Sequence, residues 1–163
     1  MRGKKIIFLF LALLLPVAIF LFLKIFGKNQ FDVAPLYQDS ISNVGNCGVD
    51  YGTPYFLPDS VMKHFKTDSD ASLFLLNFSA SESVVKRVLE EADDIEVKIL
   101  LPSSFQVAFP DLNFLKNCIL LLGSSHDIVL IDNQNRIRGY YKSSEREDID
   151  RLLVEISIIL KKY

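Results

Sequence analysis

Residues 6–26 are an almost unbroken run of Leu, Ile, Phe, Val and Ala. No other segment constrains the fold as much, because such a run has no polar face to offer water. Wound into a helix, it extends about 31 Å at ~1.5 Å per residue. The hydrocarbon core of a bilayer is about 30 Å thick. Pro16 would kink such a helix, and Lys24 could snorkel to the headgroups. A cleaved signal peptide would carry an apolar core of only ~7–15 residues, followed by small residues. Here the run is longer, Lys24-Ile25-Phe26 offers no small-residue site, and no lipobox cysteine follows. The segment therefore reads as an uncleaved transmembrane anchor. Arg2, Lys4 and Lys5 precede it, and Lys24 and Lys28 flank its other end. The positive-inside bias then predicts a cytoplasmic N-terminus in a bacterial inner membrane, with the remaining domain in the periplasm.

The remainder of the 163-residue chain suits one ordinary domain. Its size needs no metal or disulfide merely to fold. Four of the 18 basic residues and none of the 20 acidic ones fall before Gly27, so the rest carries a net charge of −6. A polyanion-binding protein would show the opposite balance, which argues against a nucleic-acid partner. The expected organisation is a cytoplasmic stub (1–5), the anchor (6–26), an irregular lead-in rich in Gly and Pro (27–60) and a folded domain (61–163).

Leu73-Phe74-Leu75-Leu76-Asn77-Phe78 is a short apolar run, the pattern of a strand buried on both faces. Ser79 and Glu82 fit a capping box, and Val84, Val85, Val88 and Leu89 supply an apolar helical stripe. Residues 95–101 read as a second strand. Residues 102–110 read as a loop and 111–117 as a short helix. The apolar run 118–122 reads as a strand, and 128–131 as another. Asp132-Asn133-Gln134-Asn135 is turn chemistry, and 137–141 returns as the hairpin partner. Ser144 and Glu147 fit a second capping box. The helix over 144–160 presents Ile149, Leu152, Leu153, Ile156, Ile159 and Leu160 on one face. This order predicts an α/β domain: β-α-β, then a β-hairpin and a C-terminal helix, a thioredoxin-like fold behind one N-terminal transmembrane helix.

The chain has two cysteines, Cys47 and Cys118, and no CxxC or CxxxC. The leading expectation is a buried or free thiol at each. A disulfide closing about 70 residues comes second, with an upper expectation of about 4 kcal/mol of stabilisation. Met62 and His64 have side chains suited to copper, but packing or surface roles explain them. Ser124-Ser125-His126-Asp127 contains the letters of a hydrolase triad. Neighbours in sequence do not make that geometry, and no GxSxG occurs. Glu90, Glu91, Asp93 and Asp94 read as a solvated helix end and turn.

The stretch Leu130-Ile131-Asp132-Asn133-Gln134-Asn135-Arg136-Ile137-Arg138-Gly139-Tyr140-Tyr141, continuing through Glu147 to Leu152, resembles the closing signature of SCO/SenC proteins. Residues 74–88 are similar to the segment where that family carries F-x-x-x-C-x-x-x-C. The resemblance implies a membrane-anchored thioredoxin fold. In the family, two cysteines and a later histidine bind copper during assembly of the copper site of cytochrome oxidase, and thiol–disulfide roles are also proposed. Soft thiolates and an imidazole suit Cu(I). In this chain the cysteine positions fall on Ser81 and Val85, neither of which can supply a thiolate, and the third ligand position falls at or near His126. The resemblance thus implies a non-catalytic assembly or partner-binding factor with no resident cofactor. Its partner would be a membrane protein such as a respiratory complex or an assembly factor. The alternative is a copper metallochaperone or thiol–disulfide oxidoreductase with a rearranged Cys47/Cys118/His126 site.

Overall fold

The computed structural model describes residues 2–26, 32–41, 47–66, 71–79, 82–91, 97–105 and 108–160. The chain forms two compact units, Met1–Phe31 and Asp32–Tyr163. The first holds one helix, α1 (Arg2–Phe26), with Pro16 inside it. Among the described residues, no helix is long and apolar enough to cross a membrane. The expected transmembrane anchor over 6–26 is therefore corrected.

The second unit is mixed α/β. In chain order it contains α2 (Asp59–Phe65), β1 (Leu73–Asn77), α3 (Glu82–Glu91), β2 (Val97–Leu100) and two short turns, α4 (Pro102–Phe105) and α5 (Leu112–Phe114). A π-helical turn (Leu115–Ile119), β3 (Ile128–Asp132), β4 (Ile137–Tyr141) and α6 (Arg146–Ile159) follow. The four strands form one sheet in the order β2-β1-β3-β4. β1 and β2 are parallel, with Leu75 beside Ile99. β3 runs antiparallel to β1, with Leu75 beside Leu130, and β4 antiparallel to β3.

All five residues of β1 are buried because both faces of the sheet are covered. Phe74 and Leu76 turn toward Tyr55, Leu57, Met62 and Phe65 of the lead-in and α2. Leu73 and Leu75 turn toward Val84 and Val88 of α3 and Ile149, Leu152 and Ile156 of α6. Each such side chain, fully buried, contributes roughly 1.5–3 kcal/mol.

The β3–β4 hairpin is organised by one buried carboxylate. Asp132 Oδ1 accepts hydrogen bonds from the Gln134 and Arg136 amides, both at 3.0 Å. Its Oδ2 accepts from Arg136 Nε at 2.7 Å and Arg138 Nη1 at 3.3 Å. Asn135 takes φ +66° in this turn, a conformation that Asn tolerates better than most residues. The turn docks on α2: Lys66 Nζ donates to Asn133 O and Asn135 Oδ1, and Asn135 Nδ2 donates to Asp59 Oδ1.

The ladder shifts register between Leu130 and Ile131, which pair with Gly139 and Ile137 and leave Arg138 as the extra residue of a bulge. Across that bulge the alternation reverses. Ile137 joins one side of the core and Tyr141 the other, while Arg138 turns back onto Asp132. The Tyr141 ring folds over Gly139. A Cβ there would overlap the Tyr141 hydroxyl oxygen and lie 2.7 Å from its Cζ.

Two local expectations are revised. The apolar run 118–122 is not a strand: its first two residues end the π-helical turn. A short apolar run does not distinguish a strand from a buried helical segment. At α6 the N-cap is Glu145 with no side-chain cap, in place of Ser144. Asp148 instead accepts from the Lys142 amide at 2.9 Å and from Arg151 at 3.1 Å. Burial alone would raise the Asp148 pKa, but those donors outweigh it and hold the carboxyl below its ordinary value. At α3, Ser79 donates its hydroxyl to Asn77 Oδ1.

Gly139→Ala should destabilise the domain by about 1–3 kcal/mol, the range for overpacking a filled core. Gly123→Ala, whose Cβ would meet open space, should stay within roughly 0.5 kcal/mol. Urea denaturation of the two variants checks the pair.

Candidate functional site: a cross-linked, tyrosine-braced turn

The lead-in supplies two strips of backbone to the domain. The Leu36 amide donates to Ile137 O at 2.8 Å on the outer edge of β4, and the Leu57 amide to Asn135 O at 2.8 Å. The strips bond each other through Tyr55 N and Tyr37 O at 3.0 Å. At its start, Arg138 donates to Val33 O and lies 3.7 Å from the Asp32 carboxylate.

Cys47 of the lead-in is disulfide-bonded to Cys118 of the π-helical turn, 71 residues away. Neither sulfur is a free thiol, so the leading expectation of buried or free thiols is corrected. The turn itself is closed by Leu120 N on Leu115 O and Leu122 N on Lys116 O, both at 2.8 Å. The chain leaves it through Leu121 at φ +51°.

The last carbonyls of a helical turn lack intrahelical donors. Three tyrosine hydroxyls meet that need in succession. Tyr51 donates to Cys118 O at 2.8 Å, Tyr55 to Ile119 O at 2.7 Å, and Tyr140 to Leu120 O at 2.7 Å. Their rings form a chain with Tyr37. Tyr51 and Tyr55 are 5.7 Å apart, Tyr55 and Tyr37 6.4 Å, and Tyr37 and Tyr140 6.4 Å.

This environment holds the phenols neutral. Burial, with smaller effects from Tyr51 and Tyr37, pushes Tyr55 up to about 12. Burial followed by the hydrogen bond with Tyr37 raises Tyr140 well above the ordinary tyrosine value. In β4, burial and then the bond to Glu155 do the same for Tyr141.

His126 sits half-buried in the loop between the turn and β3. Its Nδ1 lies 2.9 Å from Ser125 Oγ, and its ring is 6.0 Å from that of Tyr140. Its neighbour Asp127 accepts from Ser143 N at 2.7 Å and from the Ser143 hydroxyl. Both oxygens of that carboxylate face the serine, so no Ser-His-Asp relay is set up.

Of the two positions that the resemblance sets against cysteines, Ser81 lies outside the described residues, as do Asp93 and Asp94. Val85 is half-buried on α3. Met62 is a core side chain, 1% exposed, and exposed His64 meets the edge of the Phe109 ring at 5.2 Å. Among the described residues, no group of three His, Cys, Asp or Glu side chains could hold a metal ion.

The structure thus joins Cys47 to Cys118 and surrounds the cross-link with tyrosines. What it brings together is a brace: two sulfurs bonded to each other and hydroxyls aimed at backbone carbonyls. Sequence reasoning passed over Tyr37, Tyr51, Tyr55 and Tyr140. No periodic pattern links Tyr51 to a carbonyl 67 positions away. The sole sequence signal is that Tyr51 and Tyr55 follow Cys47 closely. No protein-family model matches the chain, and no curated protein does.

The raised tyrosine values give a pH dependence with a definite sign. A phenol whose pKa is higher folded than unfolded favours the fold in its neutral form. That stabilisation is complete below the unfolded value of about 10 and is lost as pH rises from there toward the folded value. An alkaline titration followed by tyrosinate absorbance and circular dichroism should show Tyr55, Tyr140 and Tyr141 ionising together with loss of the fold. Ionisation of all six tyrosines near pH ~10 in a folded protein would contradict the assignment.

Proposed function

We propose that this chain is an SCO/SenC-type protein in which partner binding has replaced thiol chemistry. It acts as a non-catalytic factor in assembly of the respiratory chain, its copper site or its cytochromes. The observation that carries this reading is the fate of the sulfur. Where the family places its thiol pair, this sequence has Ser81 and Val85. Its two cysteines are bonded to each other in a braced cross-link. The disulfide also supports a working place in an oxidising compartment, the periplasm of a bacterium. By resemblance, the partner is a membrane protein such as a respiratory complex or another assembly factor.

The rearranged copper or redox site at Cys47, Cys118 and His126 is less well supported. Thiolates bind metal and attack disulfides, and here both sulfurs are bonded to each other.

The test is deletion of the gene in its host, followed by measurement of assembled cytochrome oxidase and its copper content. Deletion should lower both, and the His126→Ala protein should restore both as well as the wild type does. Normal oxidase in the deletion strain would contradict the proposal. Failure of His126→Ala to restore copper, with tight Cu(I) binding by the wild-type protein, would point to the metallochaperone instead.

A further inference from the structure

We propose that the outer face of α3 is a self-association surface on which a second copy of this chain docks about a two-fold axis. The proposal does not depend on the functional reading above. Val84 and Val88 are 3% and 0% exposed and fill the core. One residue further round the helix, Val85 and Leu89 form a second apolar row, which with Leu101 beyond β2 lines an open groove of about 360 Å³. Leu89 is 46% and Leu101 39% exposed. The apolar stripe of a surface helix normally faces its own domain, whereas that of α3 is covered along the Val84 and Val88 edge and left open at Leu89.

The rim of the groove identifies the occupant. Glu82, Lys86 and Glu90 line it at intervals of four residues. Lys86 Nζ and Glu90 Oε1 are 3.7 Å apart, and their side chains are 76% and 61% exposed. A pair so open to water contributes little within one chain. Two α3 helices packed antiparallel about a two-fold axis level with Val88 would set Lys86 of each copy opposite Glu90 of the other. Val85 and Leu89 of both copies would close over each other between these charge pairs. The row is therefore self-complementary in sign, as an isologous interface requires. The six described lining residues make a small contact, of the size of weak, transient interfaces.

The experiment is sedimentation equilibrium on the full chain over a concentration series. A mild non-ionic detergent keeps the exposed apolar side chains of α1 dispersed. The wild type should show a reversible monomer–dimer equilibrium, and Leu89→Glu should abolish it. Lys86→Glu should weaken it roughly tenfold, because two charge pairs become repulsive. The double change Lys86→Glu/Glu90→Lys should restore it by reversing both pairs. A wild type that stays monomeric overturns the proposal. So does a dimer that ignores Leu89→Glu and Lys86→Glu, because such association runs through another surface. Failure of the double change to restore the dimer removes the charge pairing on which the choice of occupant rests.

Discussion

The cross-link between Cys47 and Cys118 is the constraint around which the rest of the domain is arranged. The lead-in has little regular structure of its own, and such a chain is costly to order. The disulfide removes part of that cost from the unfolded state. With its position fixed, the lead-in can spend backbone donors on the open edge of β4 and on Asn135. An uncovered edge strand is a template for unwanted pairing, so covering it protects the domain as well as stabilising it. The same cross-link sets Tyr51 and Tyr55 against the carbonyls of the π-helical turn.

A second hub lies at the opposite end of the covered edge. Asp132 closes the hairpin, and the bulge at Arg138 swings that side chain onto it. Arg138 also reaches Val33 and Asp32 of the lead-in. Burial of a charge is expensive unless it is paired and hydrogen-bonded. Asp132 meets that condition with four donors. The lead-in is thus held by an ion-pair network near its start and by a disulfide near its middle.

Several elements were legible in the sequence because short-range patterns determine them. The five buried residues of β1 read as an apolar run, the apolar face of α6 as a helical period, and the hairpin turn as Asn and Asp chemistry. What escaped depended on distant partners. The run at 118–122 is apolar because it packs under the sheet, and tyrosines far away in sequence select its helical form. Asp148 displaced Ser144 as the group serving the start of α6, because the Lys142 amide comes back within its reach. The apolar N-terminal run predicted a membrane span that the described residues do not provide. The cysteines could be read only as alternatives, since two thiols 71 positions apart carry no sign of whether they meet.

The cysteine sulfurs of this chain are structural, and the most direct measurement of that role is the urea unfolding midpoint of the oxidised protein against the Cys47→Ser/Cys118→Ser double variant. A loop of this length should be worth up to about 4 kcal/mol, so the midpoint should fall clearly, with the near-ultraviolet signal of the tyrosines changing alongside it. An unchanged midpoint, with an unchanged tyrosine signal, would mean that the cross-link braces nothing and that the two cysteines serve some other chemistry.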